Sequence, residues 1–491
     1  MAYILSLDIG TSSSRAMLWD EEFHEEKDVH FQSAYKMHTT SDGGVEIACN
    51  ELAKHVEECI DNVMAKLGNR KIDAVGISSF WHSMCGIDKT GKPLTPLYTW
   101  ADTRSAAAAI SLREELDVSL IAQQTGCTLH SSYYPARLRW LADSNAEVFK
   151  AVDMWVSPGE FLFDRWFGPE ARVISHSMLS GTGLSLLGMK WDEELMDTLK
   201  LSLSRFPNVA SDATHFDNLK DSYVKRWPAL KGVPFFPAIG DGACANIGSG
   251  CHSTGKMALS LGTSGALRVL CSEDSAAMKN KHRPDGLWLY RVTSTMPLMG
   301  AAFSDGGNVH QWLASTLQLP SDTSLEQELA KRSPGQHGLT FLPFMAGERS
   351  VGWNPASKTV MMGMNLNTSP VDIAHATMEA IALRFAEGAS RLFSAFPHIR
   401  EIDASGGALI QSPAWTQIFT DAIGKPITLA MEPEASSRGA ALLAHYLLTG
   451  KFPKAIDSSE RGTTFHPDPE KHNTYKQMLA DQNQLYAKLF A

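Results

Sequence analysis

The chain has 491 residues, 44% hydrophobic and 20% charged, with a formal net charge of −10. That length supports two domains, each able to bury a core of its own. The acidic balance, with no basic run, excludes nucleic acid and anionic membrane surfaces as main partners, and no apolar stretch approaches the length of a membrane span. The seven cysteines are scattered and contain no C-x-x-C pair, so neither a zinc site nor a disulfide framework is indicated and a reducing cytoplasm fits. The N-terminus carries no basic region with a cleavage site; Met1-Ala2-Tyr3-Ile4-Leu5 reads as an immediate strand.

The first element is a hairpin. Leu5-Ser6-Leu7-Asp8-Ile9 is an apolar strand, Gly10-Thr11-Ser12-Ser13 a small-residue turn, and Ser14 to Leu18 a second strand carrying Arg15. The same phrase returns past the midpoint, where Leu259-Ser260-Leu261 runs through Gly262-Thr263-Ser264 into Gly265 to Leu270. Such turns aim backbone N–H groups and hydroxyls at one point, which suits a phosphate oxygen, although ordinary hairpins use the same residues. Asp8, at the strand end beside its turn, is placed to hold magnesium or merely to cap the turn.

Between the two copies, Asp73 to Ser78 reads as a buried strand that delivers Trp81 and His82 on the following loop. Trp100-Ala101-Asp102-Thr103-Arg104 sets an acid beside a cation, suited to a polyol or a carboxylate and equally to a local ion pair. Lys231 to Pro237 is punctuated by Pro and Gly, and the domain junction is expected near Gly240 to Gly250. Alone, Gly240-Asp241-Gly242 reads as a turn. On a glycine-flanked loop between two domains, though, a carboxylate can approach a substrate hydroxyl as a general base must.

Further on, Gly338 to Phe344 reads as a strand leading to Glu348-Arg349, which could orient substrate or simply pair. Ser369-Pro370-Val371-Asp372 is a helix start with an N-cap serine, proline at the first position and an acid at the third. Ala404-Ser405-Gly406-Gly407-Ala408 is a strand–Gly-Gly–helix junction on which a flat ring can lie against bare backbone. Ser412-Pro413 opens another helix, with Trp415, Ile418, Phe419 and Ala422 on one face and Gly424 at its end. The segment from Lys451 reads as polar and partly helical, packing outside both cores. No lysine-bearing phosphate loop, G-x-G-x-x-G or protein-kinase catalytic motif occurs.

Taken together and in this order, these motifs resemble the FGGY family of carbohydrate kinases, in the actin-like ATPase superfamily, over nearly the whole length. The resemblance implies an α/β protein of two ribonuclease-H-like domains, with ATP and magnesium in an interdomain cleft and the sugar bound mainly by the N-terminal domain. It implies Asp241 as the base, Asp8 toward the metal, and Thr11, Ser12, Ser13, Arg15, Gly262, Thr263, Gly307, Gly407, Ala408 and Gln411 around the nucleotide. Trp81, His82, Asp102 and Arg104 would line the sugar. The expected division is an N-terminal domain over 1–242, a C-terminal domain over 243–450 and a helical extension over 451–491.

Gly240-Asp241-Gly242-Ala243 with Asn246 to Gly250, and Gly347-Glu348-Arg349 with Trp353-Asn354, resemble the branch of the family that acts on gluconate. That implies phosphorylation of a terminal hydroxyl, D-gluconate to 6-phospho-D-gluconate. Arg137, after Tyr134-Pro135, and Phe80-Trp81 before His82 depart from that branch's pattern. A kinase of xylulose, another pentulose or a polyol is the near alternative; a non-catalytic actin-like ATP-binding module is the distant one. A homodimer is compatible with the sequence, which sets no oligomeric state.

Overall fold

The computed structural model describes residues 3–275, 278, 283–457 and 461–490. Met1 and Ala2, read as the start of the first strand, lie outside them, as do 458–460 and 491 of the expected extension. The chain divides into two compact units, neither contiguous in sequence. The first comprises Met1–Gly250, Leu289–Leu298 and Glu434–Ser458; the second comprises Cys251–Trp288, Met299–Pro433 and Ser459–Ala491.

The first unit holds a five-stranded sheet, in spatial order Ile239–Gly240, Ile72–Ser79, Tyr3–Ile9, Ser13–Trp19 and Glu25–Ala34. Tyr3–Ile9 is buried at every position, as its near-continuous apolar run requires of a central strand. It pairs antiparallel with Ser13–Trp19 and parallel with Ile72–Ser79, which in turn pairs parallel with Ile239–Gly240. Three strands therefore end at the same edge, in register at Asp8, Ser78 and Ile239.

The Ala435–Thr449 helix lies against this sheet, so the chain returns to the first unit instead of ending a contiguous C-terminal domain at 450. The close approach has specific causes. Gly76 admits the Ala440 carbonyl where any side chain would collide, and the Ser6 and Ser437 hydroxyls bond at 2.6 Å. The Ser6–Ser437 bond joins residues 431 positions apart, and neither contact has a local sequence signature.

The second unit repeats the topology. Within a seven-stranded sheet, Ile427–Ala430, Glu401–Ser405, Lys256–Leu261 and Gly265–Leu270 follow one another, with parallel, parallel and antiparallel pairings. Both expected helices form here. Pro370–Ala395 starts on a capping box between Ser369 and Asp372, and Pro413–Ile423 is capped by the Ser412 hydroxyl and closed by left-handed Gly424. Such caps each contribute about 1 kcal/mol. The strand expected over 338–344 is only Thr340–Leu342, paired with Val360–Met362. The Pro469–Phe490 helix is no outer appendage: Tyr475 and Gln482 are buried, bonding Glu379 at 2.9 Å and the Phe341 carbonyl at 2.8 Å. Among the described residues no helix is long and apolar enough to cross a membrane.

Candidate active site

In the first unit, Gly10 N–H bonds the Ser13 carbonyl at 3.0 Å, closing a turn whose tip presents Thr11 and exposed Ser12. Tyr35 braces the turn from behind, its hydroxyl donating to the Gly10 carbonyl at 2.5 Å. Ser13 is buried within its strand. Arg15 lies 3.5 Å from Asp8 and 3.1 Å from Glu434, so its charge is shared between two carboxylates. Burial raises the Asp8 pKa, against the pull of the Ser78 hydroxyl and the Arg15 charge.

Asp241 is the first residue of the Asp241–Gly248 helix, where the helix dipole favours a carboxylate. It follows Gly240, at the end of the strand that lies two places from Asp8 in the sheet. Burial holds the Cys244 thiol protonated, and the charges of both Asp8 and Asp241 add to the effect, so the two carboxylates act on one neighbourhood. The helix is fixed by Gly248 and Gly439, which let it touch the Ala435–Thr449 backbone; a methyl on either would overlap main chain.

Trp81 packs its indole flat over Gly240, leaving no room for a Cβ there, and donates Nε1–H to the Ser177 carbonyl at 2.9 Å. His82 adopts φ +61°, a conformation costing on the order of 1–3 kcal/mol for a residue with a side chain. Hydrogen bonds to its ring and to its backbone help hold it. The His82 Nδ1–H meets the Gly181 carbonyl at 2.5 Å, and Arg137 donates to the His82 carbonyl at 2.6 Å. With the proton on Nδ1, Nε2 is the acceptor nitrogen of the ring.

Arg137, 1% exposed, also donates to the Thr99 carbonyl at 2.7 Å, tying the Trp81-His82 loop to the loop carrying Asp102. Burial lowers its pKa to about 10 while the Asp102 charge opposes the fall. Asp102 and Arg104 pair with each other, and Arg104 also pairs with Glu46.

In the second unit, Gly262 N–H bonds the Ser264 carbonyl at 3.0 Å in a turn one residue shorter than the first. The Gly307–Thr316 helix begins against it, with Gly307 N–H to the Gly262 carbonyl at 2.7 Å and Asn308 N–H to the Thr263 carbonyl at 3.2 Å. Gly406, at φ +106°, lies so close to the Leu261 carbonyl that no side chain fits. A cavity of about 780 Å³ opens here, lined by Gly262, Thr263, Gly307, Gly407, Ala408 and Gln411, and farther in by Glu326 and Trp415. All six second-unit residues expected at the nucleotide thus line one space, within the size range of a small-molecule site.

The N-terminal-domain model of the FGGY family of carbohydrate kinases matches residues 3–248, and the C-terminal-domain model matches 257–448. The chain belongs to the FGGY family of carbohydrate kinases. It is 26% identical to a gluconokinase of Bacillus subtilis (strain 168), covering 95% of this chain and 92% of that one. Among solved structures, a gluconate kinase from Lactobacillus acidophilus superposes with a TM-score of 0.89 at 26% identity, over 99% of this chain and 98% of that one. A ligand-bound xylulose kinase from the same organism also reaches 0.89, at 25% identity, over 100% and 98%.

An FGGY kinase is a phosphotransferase dependent on ATP, and the second unit's cavity fits a nucleotide by size and by its bare glycine wall. The carboxylates of Asp8 and Asp241 are hard oxygen donors of the kind magnesium takes.

Two other groups of this FGGY chain are structural. Glu348 is buried and accepts from Gly352 N–H, the Ser357 hydroxyl and the Tyr486 hydroxyl, while Arg349 donates to the Phe303 carbonyl. His337, His375 and Glu379 cluster within 4.8 Å. Yet His337 Nδ1 accepts from Leu339 N–H, so Nε2 carries the proton that Glu379 accepts at 2.7 Å and has no lone pair for a metal.

Sequence reasoning missed Tyr133 and Tyr290 of the first unit. Their hydroxyls bond at 2.6 Å, and both rings pack on His82, with centroids 5.1 and 5.3 Å away. Tyr290 lies far from any motif. Only the strand-like run over 288–293 marked its element.

Proposed function

We propose that this kinase transfers the γ-phosphoryl group of ATP to a terminal hydroxyl of a sugar acid, D-gluconate giving 6-phospho-D-gluconate, in the cytoplasm. Asp241 carries the reading. It stands at a helix start and a parallel strand end, one residue from the glycine under the Trp81 ring. There it takes the hydroxyl proton as the oxygen attacks phosphorus in line. Trp81 supplies an aromatic wall for the sugar's C–H face, and His82 Nε2 accepts a sugar O–H. Thr11 and Ser12 offer hydroxyls and backbone N–H groups to phosphate oxygens, as Gly262 and Thr263 do in the second unit. Gly307, Gly407, Ala408 and Gln411 cradle the nucleoside. Asp8 would hold magnesium, which when bound supplies charge neutralisation for the phosphoryl oxygens.

The choice of gluconate rests on likeness to the gluconate-acting relatives. A second reading, a neutral ketose such as xylulose, is favoured by one observation. Arg104 already pairs with Asp102 and Glu46, Arg139 pairs with Glu115, and buried Arg137 is spent on backbone carbonyls. These first-unit arginines are engaged before any substrate carboxylate arrives. A coupled ADP-release assay across gluconate, xylulose, ribulose, glycerol and erythritol decides between them, with gluconate expected to give the highest kcat/KM. A neutral sugar outranking it would overturn the gluconate assignment and leave the kinase class standing. ADP release indifferent to every sugar, accompanied by polymerisation, would support an actin-like ATP-binding module.

A further inference from the structure

Tyr290 reaches the Trp81-His82 loop from the Trp288–Thr293 strand, 208 positions beyond His82 in sequence and outside every motif. The strand is pinned on both sides of it. Leu289 N–H bonds the Gly126 carbonyl at 2.9 Å, and Arg291 N–H bonds the Ser180 hydroxyl at 2.9 Å. Gly126, at φ +79°, is the helix C-cap that lets the strand come so near, since a Cβ there would strike the Leu289 carbonyl. Alternation along the strand then sends the Tyr290 side chain to the opposite face from its two anchored neighbours.

There the ring meets Trp81 edge-on, with centroids 5.0 Å apart and planes at 61°, and His82 at 5.3 Å and 60°. The hydroxyl bonds that of Tyr133 at 2.6 Å. Tyr290 is 3% exposed and Tyr133 1%, so the pair is a buried brace and not a surface lid. The Trp81 indole also presses on Gly240. Trp81 is thus in contact with both Tyr290 and the backbone of Gly240, the residue before the proposed base.

We infer that Tyr290 is a positioning residue for the sugar site, holding Trp81 and His82 in register with Asp241 without itself exchanging a proton. The inference rests on the reading of Trp81 and His82 as the sugar wall. A displacement of about 1 Å in such a site reduces turnover on the order of a hundredfold. Tyr290→Leu removes the brace and should lower kcat/KM for the sugar by roughly tenfold to a hundredfold while the KM for ATP stays within about twofold. Tyr290→Phe keeps the ring and should lower it by only about two- to tenfold, the worth of one hydrogen bond. Tyr133→Phe should match it, and the double variant should be no worse than either single one, because both remove the same bond.

The test is steady-state kinetics of the full chain with sugar and ATP varied in turn, run beside Trp81→Leu. A lowered sugar kcat/KM in Trp81→Leu with an unchanged one in Tyr290→Leu overturns the role of Tyr290 alone. Unchanged sugar kinetics in both overturns the sugar-wall reading itself. Equal losses toward sugar and ATP in Tyr290→Leu reduce Tyr290 to general stability and also overturn the inference. Should Tyr290→Leu fail to fold, the phenylalanine pair decides: additive losses, or none, contradict the brace.

Discussion

The two Gly-Thr-Ser hairpins are nearly the same in sequence and topology, and their neighbours differ in every respect that matters for chemistry. The first turn lies among charges: Asp8 on its leading strand, Arg15 on its return strand and Glu434 from the returning helix. The second has Ser260 at the position that matches Asp8, its hydroxyl accepting from Arg268 at 3.1 Å, and is braced by the backbone N–H groups that start the Gly307–Thr316 helix. The loop after the adjacent parallel strand diverges in the same way. After Ile72–Ser79 come Phe80, Trp81 and His82, an aromatic wall; after Glu401–Ser405 come Gly406 and Gly407, bare backbone. One duplicated framework therefore offers a charged, aromatic strand end in one unit and, in the other, a cavity whose lining combines bare glycine backbone with Asp322 and Glu326. In the proposed function, side chains at equivalent strand ends, not the fold, divide the labour.

The largest expected break in this comparison comes from Asp241→Asn. The change keeps the shape and removes the proposed base, so kcat should fall at least about a hundredfold while nucleotide binding is little changed. Near-wild-type turnover, measured by coupled ADP release, would show that the charged unit does not supply the proton acceptor.

A smaller effect concerns a buried carboxyl of the second unit. Asp305, two residues before Gly307, is buried, and that burial raises its pKa to about 7, with Ala346 N–H bonding it at 3.0 Å. In the unfolded chain the same carboxyl titrates near 4. The folded state therefore keeps a proton that the unfolded state loses, and stability should fall as pH rises from about 4 to about 7, then level off. Asp305→Asn retains the acceptor oxygen and cannot ionise. It should flatten that slope and be more stable by about 1–3 kcal/mol at pH 8, read by chemical denaturation. A variant destabilised equally at every pH would mean that the carboxylate is charged and paired in the fold.

Much of this was legible in the sequence because its causes are local. The caps at Ser369 and Ser412 bond residues three positions away. The hairpins close over four and three residues, and the six expected second-unit residues that line one cavity fall on or beside short glycine-rich junctions. What was illegible is long-range. The Ala435–Thr449 helix joins the first unit through Ser437 and Gly439, small residues with no motif around them. Tyr290 reaches the Trp81-His82 loop by strand alternation from a segment that reads only as apolar. Asp102-Arg104 was recognisable as a pair, but Glu46, which makes Arg104 an internal counter-ion, lies 58 positions earlier.

The division of labour is tested most directly by a matched pair of glycine variants. Gly181→Ala puts a methyl 2.9 Å from Trp81 and 3.1 Å from His82; Gly307→Ala puts one 2.8 Å from the Gly262 carbonyl. Neither glycine has a positive φ, so each change adds crowding of about 1–3 kcal/mol without backbone strain. With KM measured for sugar and for ATP in both, Gly181→Ala should raise only the sugar KM, by about tenfold, and Gly307→Ala only that for ATP. Both variants shifting both constants alike would contradict the account.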